Sequence, residues 1–193
     1  MGGVNGAEAL KALYALQEKD LEIDRLRAEA ESLPEELVAL QGQVGTLEER
    51  LTNLLERRAE LEREYNRHSL DIEDLSAKEK QAEEEQKRAQ SAREQTQYEN
   101  RIQQIKDRIR ELLELSTPIM EAMENLEAEI AQVEEELAAL RPRLQELLEA
   151  NRARVAELEA AIAAKVEERT AMAAAISAQI LKDYDAILRA RRG

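Results

Sequence analysis

From Leu37 onward the apolar residues advance in steps of three and four. The run is Leu37, Leu40, Val44, Leu47, Leu51 and Leu54, then Arg58, Leu61, Tyr65, His68, Ile72 and Leu75. Such an a/d seam, held for more than about five heptads, predicts a coiled-coil helix. A second seam runs through Ile102, Ile105, Ile109, Leu112, Ser116, Ile119, Met123, Leu126, Ile130, Val133, Leu137, Leu140, Leu144 and Leu147. Between them, residues 80–101 contain no Leu, Ile, Val or Met. The second seam also returns out of step. In one unbroken helix the two-residue offset would turn the apolar stripe by roughly 200°, so a single straight partner could not serve both arms. A chain that folds back lets each arm bury the other's stripe, which predicts an all-α, elongated, antiparallel coiled-coil helical hairpin.

With the apex near residue 93, Leu75 faces the neighbourhood of Leu112, Leu61 that of Leu126, Leu54 that of Val133 and Leu47 that of Leu140. The same register sets Gly42 and Gly45 opposite Pro142. Glycine and proline weaken helix interiors most, so their juxtaposition predicts one bend shared by both arms. Before the first seam, Leu10, Leu13, Leu16, Ile23 and Leu26 mark another helix. Ser32-Leu33-Pro34-Glu35 reads as a capping box that restarts the chain. Beyond Leu147 the return arm continues through Val155, Leu158, Ile162, Val166, Met172, Ile176 and Ile180 in an Ala-rich stretch suited to close helix packing. Thr117 and Pro118 predict an interruption of that arm. The expected organisation is a base helix over 1–33, an ascending arm over 34–90, a tip over 91–97, a descending arm and helical base over 98–188, and a basic tail over 189–193.

Composition narrows the function classes. The chain of 193 residues has no Cys, Trp or Phe, and aromatics make up 2% of it, too little bulk to close a core around a catalytic pocket. A non-enzymatic role is expected. The net charge of −14 opposes a general grip on phosphates, although Arg189, Arg191 and Arg192 form a local basic end. No signal peptide or membrane span is evident, so a cytoplasmic location without membrane contact is expected.

Chemical candidates are few. His68, the single histidine, occupies a seam position and reads as a register marker, as does Arg58. Glu83, Glu84 and Glu85 lack the spacing of a calcium loop, and no phosphate loop, nucleophile elbow or zinc spacing occurs. No metal ligands or catalytic groups are therefore assigned. Around the turn, Arg93, Glu94, Gln95, Gln97 and Tyr98 form the candidate partner-binding tip, because an aromatic just after a turn has little to cover it.

Several stretches in order resemble the bacterial coiled-coil proteins that carry a C-terminal four-cysteine zinc ribbon. These are "LYALQEKDLEIDRL", "SLPEELVAL", "QTQYENRIQQI", "LLELSTPIMEAMENLE" and "YDAILRARRG". Gln97, Asn100 and Arg101 depart from the pattern after the turn, and the ribbon is missing, as in a truncated or proteolysed chain. The resemblance implies a cytoplasmic adaptor or chaperone-like scaffold with protein partners, some relatives being linked to flagellar or type III secretion assembly. It further implies zinc only in the ribbon, and nucleic-acid contact through that ribbon. The competing readings are a nucleic-acid-binding regulator using Arg189, Arg191 and Arg192, and a structural rod or spacer. The oligomeric expectation is a monomer or weak homodimer.

Overall fold

A computed structural model of the chain describes residues 6–176 and 178–192. They form four helices: α1 Gly6–Glu31, α2 Glu35–Lys87, α3 Ala92–Ala174 and α4 Ala178–Arg192. The chain divides into two compact units, one of Met1–Gln41 with Pro142–Gly193, the other of Gly42–Arg141. The division falls beside Gly42 on α2 and Pro142 on α3, the positions where the sequence sets its helix-weakening residues opposite each other.

In the Gly42–Arg141 unit, α2 and α3 run antiparallel as a hairpin. Every seam residue in it is buried or half-buried, with Leu61, Leu112, Val133 and Leu137 among the most enclosed. Cross-helix pairs fix the register: Arg58 to Glu127 at 3.1 Å, Arg141 to Glu48 at 3.4 Å and Lys106 to Glu79 at 3.8 Å. These follow the pairing the two seams predict. All are exposed to solvent to some degree and contribute at most about 1 kcal/mol each, so burial of the seams is the dominant stabilising effect.

The expected interruption at Thr117 and Pro118 does not occur, and α3 passes through both. Thr117 turns its hydroxyl back to the carbonyl of Leu113 (3.2 Å) instead of capping a new helix, and Ser116 does the same to Leu112 (2.8 Å). Proline disfavours a helix interior by about 3 kcal/mol. Continuity keeps Leu112, Ser116 and Ile119 buried on one seam, and that burial outweighs the proline.

Gly42 and Gly45 lie in helical conformation on the exposed side of α2, where an added Cβ would meet nothing within 4 Å. Each glycine therefore only loosens the helix. Replacing either by alanine is expected to raise stability by about 0.5–1 kcal/mol, read as a higher urea midpoint. A lower midpoint would mean that the missing side chain serves packing.

In the other unit, α1, the first turns of α2, the end of α3 and α4 pack together. Leu16, Ile23, Leu37 and Ala173 are buried there. Leu10, expected on the inner face, is 69% exposed, and Val166 also faces outward. The inner face of α1 is instead completed by Asp20. The restart at Pro34 differs from the capping box expected. Residues 32–34 are non-helical, the Pro34 carbonyl accepts from Val38 N, and the Ser32 carbonyl is taken by Arg154 (2.7 Å). Arg154 also bonds the Glu29 carbonyl at 2.8 Å, so one guanidinium satisfies the open carbonyls at the end of α1.

The return arm is not one helix to residue 188. It stops at Ala174, makes two tight turns through Ala175 and Ile176, and resumes as α4.

Candidate functional site

Two regions gather polar side chains with a defined geometry. The first is the hairpin end. Here α2 closes with Arg88 N bonded to Glu85 O and Ala89 N to Gln86 O, and residues 88–91 turn the chain. α3 begins at Ala92 because Ser91 caps it: the Ser91 hydroxyl accepts from Glu94 N at 3.1 Å, and the Glu94 carboxylate accepts from Gln90 N at 3.2 Å. This variant of the capping box fills two donors that a helix start leaves open. Residues 92–97, expected in the tip, are thus the first turns of α3.

The five candidate tip residues separate by role. Glu94 holds the turn. Gln95 takes part through its backbone, its N bonding Ser91 O and its carbonyl accepting from Gln86 Nε2 across the hairpin at 3.4 Å. Arg93 is exposed. Gln97 and half-buried Tyr98 join Glu94 in lining a groove of about 370 Å³, which Arg101 completes. Arg101 was visible in the sequence only as a departure from the family pattern. The groove offers an aromatic face, an amide, a carboxylate and a guanidinium. That set suits a mixed polar and apolar protein surface rather than a single strong charge.

The second region lies in the unit containing α1 and α4. Asp20, with 4% of its surface exposed, accepts from Tyr184 Oη at 2.7 Å and from Arg169 Nε at 3.1 Å, while Arg169 Nη2 reaches Asp185 at 2.6 Å. One carboxylate on α1 thus ties α3 and α4 together. Around it, Lys19 pairs with Glu168 at 2.6 Å and Lys165 with Glu22 at 3.0 Å. The hydrogen bond from Lys19 holds Glu168 below the usual carboxylate range, and that from Lys165 does the same for Glu22. Sequence reasoning passed over this network, although its signal is present: Asp20 stands on a seam between Leu16 and Ile23, where a carboxylate requires a partner.

Burial, and then the hydrogen bond to Asp20, push the Tyr184 phenol above its ordinary value. An unfolded tyrosine releases its proton near pH ~10, before the folded one does. The stability contributed is therefore complete below about pH 10 and declines as the pH rises beyond it. The urea midpoint is expected to fall between roughly pH 9 and 11 by more in the wild type than in Tyr184→Phe. Equal falls would contradict the role given to this phenol.

Of the basic end, Arg189 and Arg191 are exposed on the last turns of α4, and the Arg192 side chain lies outside the described residues. Among the described residues no group of His, Cys, Asp or Glu is placed to hold a metal ion, and no helix is long and apolar enough to cross a membrane.

Residues 16–193 match the model of the CT398-like coiled coil hairpin domain. The chain belongs to that family. Among solved structures, CT398 from Chlamydia trachomatis superposes with a TM-score of 0.84 at 16% identity, covering 96% of this chain and 79% of that one. A structure from Mycobacterium smegmatis gives 0.74 at 26% identity, with 96% and 78% covered. The HP0958 protein of Helicobacter pylori gives 0.67 at 16% identity, with 94% and 76% covered. No curated protein matches the sequence. The self-paired hairpin inferred from the two seams is thus the family's own architecture.

Proposed function

We propose that this hairpin is a non-enzymatic, cytoplasmic adaptor or chaperone-like scaffold that holds protein partners at its tip and base, as a monomer or weak homodimer, without a cofactor in these residues. The observation that carries this reading is the groove of Glu94, Gln97, Tyr98 and Arg101 beside a turn that its own caps fix in place. A site whose backbone is already ordered binds with less loss of entropy. At the base, Leu10, Tyr14 and Leu21 lie on one side of α1 and are 69%, 65% and 44% exposed, an apolar stripe that supports a second contact.

The test is affinity capture of cytosolic proteins by the wild type, by Tyr98→Ala with Arg101→Ala, and by Leu70→Ala as an exposed control. Proteins held by the wild type and the control but lost with the tip variant are expected. Identical retention by all three would refute the tip reading.

Exposed Arg189 and Arg191 favour a second reading, nucleic-acid contact at this end, with a zinc ribbon of the kind the resemblance implies as the main binder. RNA retention that weakens with salt and disappears in Arg189→Ala with Arg191→Ala would support it. Unchanged retention would remove it.

A further inference from the structure

A cleft of about 330 Å³ lies beside the Asp20 network, lined by Asp20, Ile23, Arg27, Val166, Arg169, Asp185, Leu188 and Arg189. Its charges do not balance locally. The two carboxylates are both engaged by Arg169, and Asp20 also by Tyr184. Arg27 on α1 has no ion pair among the described residues. Among the described residues, Arg189 on α4 makes only a hydrogen bond from Nε to the Asp185 carbonyl of its own helix, at 3.3 Å. Two guanidiniums from different helices thus line one cleft without carboxylate partners among the described residues, in a chain with 42 acidic residues against 28 lysines and arginines. Acidic partners are abundant, yet among the described residues Arg27 and Arg189 have none.

We propose that the cleft binds a small phosphomonoester, its phosphate held by Arg27 and Arg189 and its organic body laid on Ile23, Val166 and Leu188. Guanidinium groups match phosphate oxygens in forked pairs, and a phosphomonoester near neutral pH carries about −1.5 to −2 charges, enough to answer two cations. The volume falls within the usual range of small-ligand sites, and an apolar wall with a few convergent charges is their usual lining. Arg169 does not bind the ligand. It neutralises Asp20 and Asp185, so that an entering anion does not meet bare carboxylates. The site is independent of the tip groove.

The experiment is calorimetric titration of the whole chain with phenyl phosphate, benzoate and inorganic phosphate. Phenyl phosphate is expected to saturate one site. Benzoate, with a single charge, and inorganic phosphate, without the ring, are each expected to bind roughly tenfold more weakly. Arg27→Gln and Arg189→Gln, both at exposed positions, should each weaken phenyl phosphate by roughly tenfold or more, the worth of one charged hydrogen bond. No saturation by about 10 mM, affinity unchanged in the double variant, or benzoate binding as tightly as phenyl phosphate would each overturn the proposal.

Discussion

Asp20→Ala is expected to destabilise the unit that contains α1 and α4 by roughly 3 kcal/mol, because it breaks a buried ion pair and leaves the partly buried Tyr184 hydroxyl unpaired. The carboxylate is the shared acceptor for Arg169 and Tyr184. Without it, Arg169 retains Asp185 alone and the Tyr184 hydroxyl has no acceptor. The loss should concentrate on α4, whose fifteen residues are too few for an independently stable helix in water. Hydrogen exchange should show α4 amides losing protection first, with α2 and α3 amides of the Gly42–Arg141 unit unchanged. Asp20→Asn, which keeps an acceptor oxygen, should lose less. Uniform loss across both units, or none, would show that α4 is held by other contacts.

Leu137→Ala is expected to cost the Gly42–Arg141 unit about 3 kcal/mol, within the 2–5 kcal/mol typical of a buried leucine reduced to alanine. Leu137 is fully enclosed, whereas Leu70 on the outer side of α2 is 61% exposed. Leu70→Ala should therefore change stability by no more than about 0.5 kcal/mol. Similar effects at the two positions would mean that the seam is not where the unit's burial is concentrated.

Most of the hairpin was legible in the order of residues. Heptad seams report directly which side of a helix is buried, and the phase slip between Leu75 and Ile102 favours a reversal, since one straight partner could not serve both arms. The turn lies at 88–91, a few residues before the expected 91–97, because the polar stretch has no strong breaker. Its position is set by Ser91 and Glu94, a capping pair that local pattern alone places beside several equally polar neighbours. The break after Ala174 was not legible for a related reason. Ala, Met and Ile at 171–176 favour a continuous helix, with no glycine or proline to stop it. There tertiary contacts prevail: α4 brings Tyr184 and Asp185 to Asp20 and Arg169, contacts made across elements far apart in the chain. Leu10 shows the converse error, an apolar residue whose spacing fits the inner face but whose side chain stays in solvent.

The distance between two spin labels tests most directly whether the chain pairs with itself. The sequence has no cysteine, so Glu79→Cys with Lys106→Cys gives two unique labelling sites, where the native side chains pair across α2 and α3 at 3.8 Å. Packed helices lie about 8–10 Å apart, and the labels should report less than roughly 20 Å, unchanged when the labelled chain is diluted into unlabelled protein. A distance near 40 Å, the span of one continuous helix between these positions at about 1.5 Å per residue, would contradict the hairpin. So would a short distance that vanishes on dilution, which would place the pairing between chains.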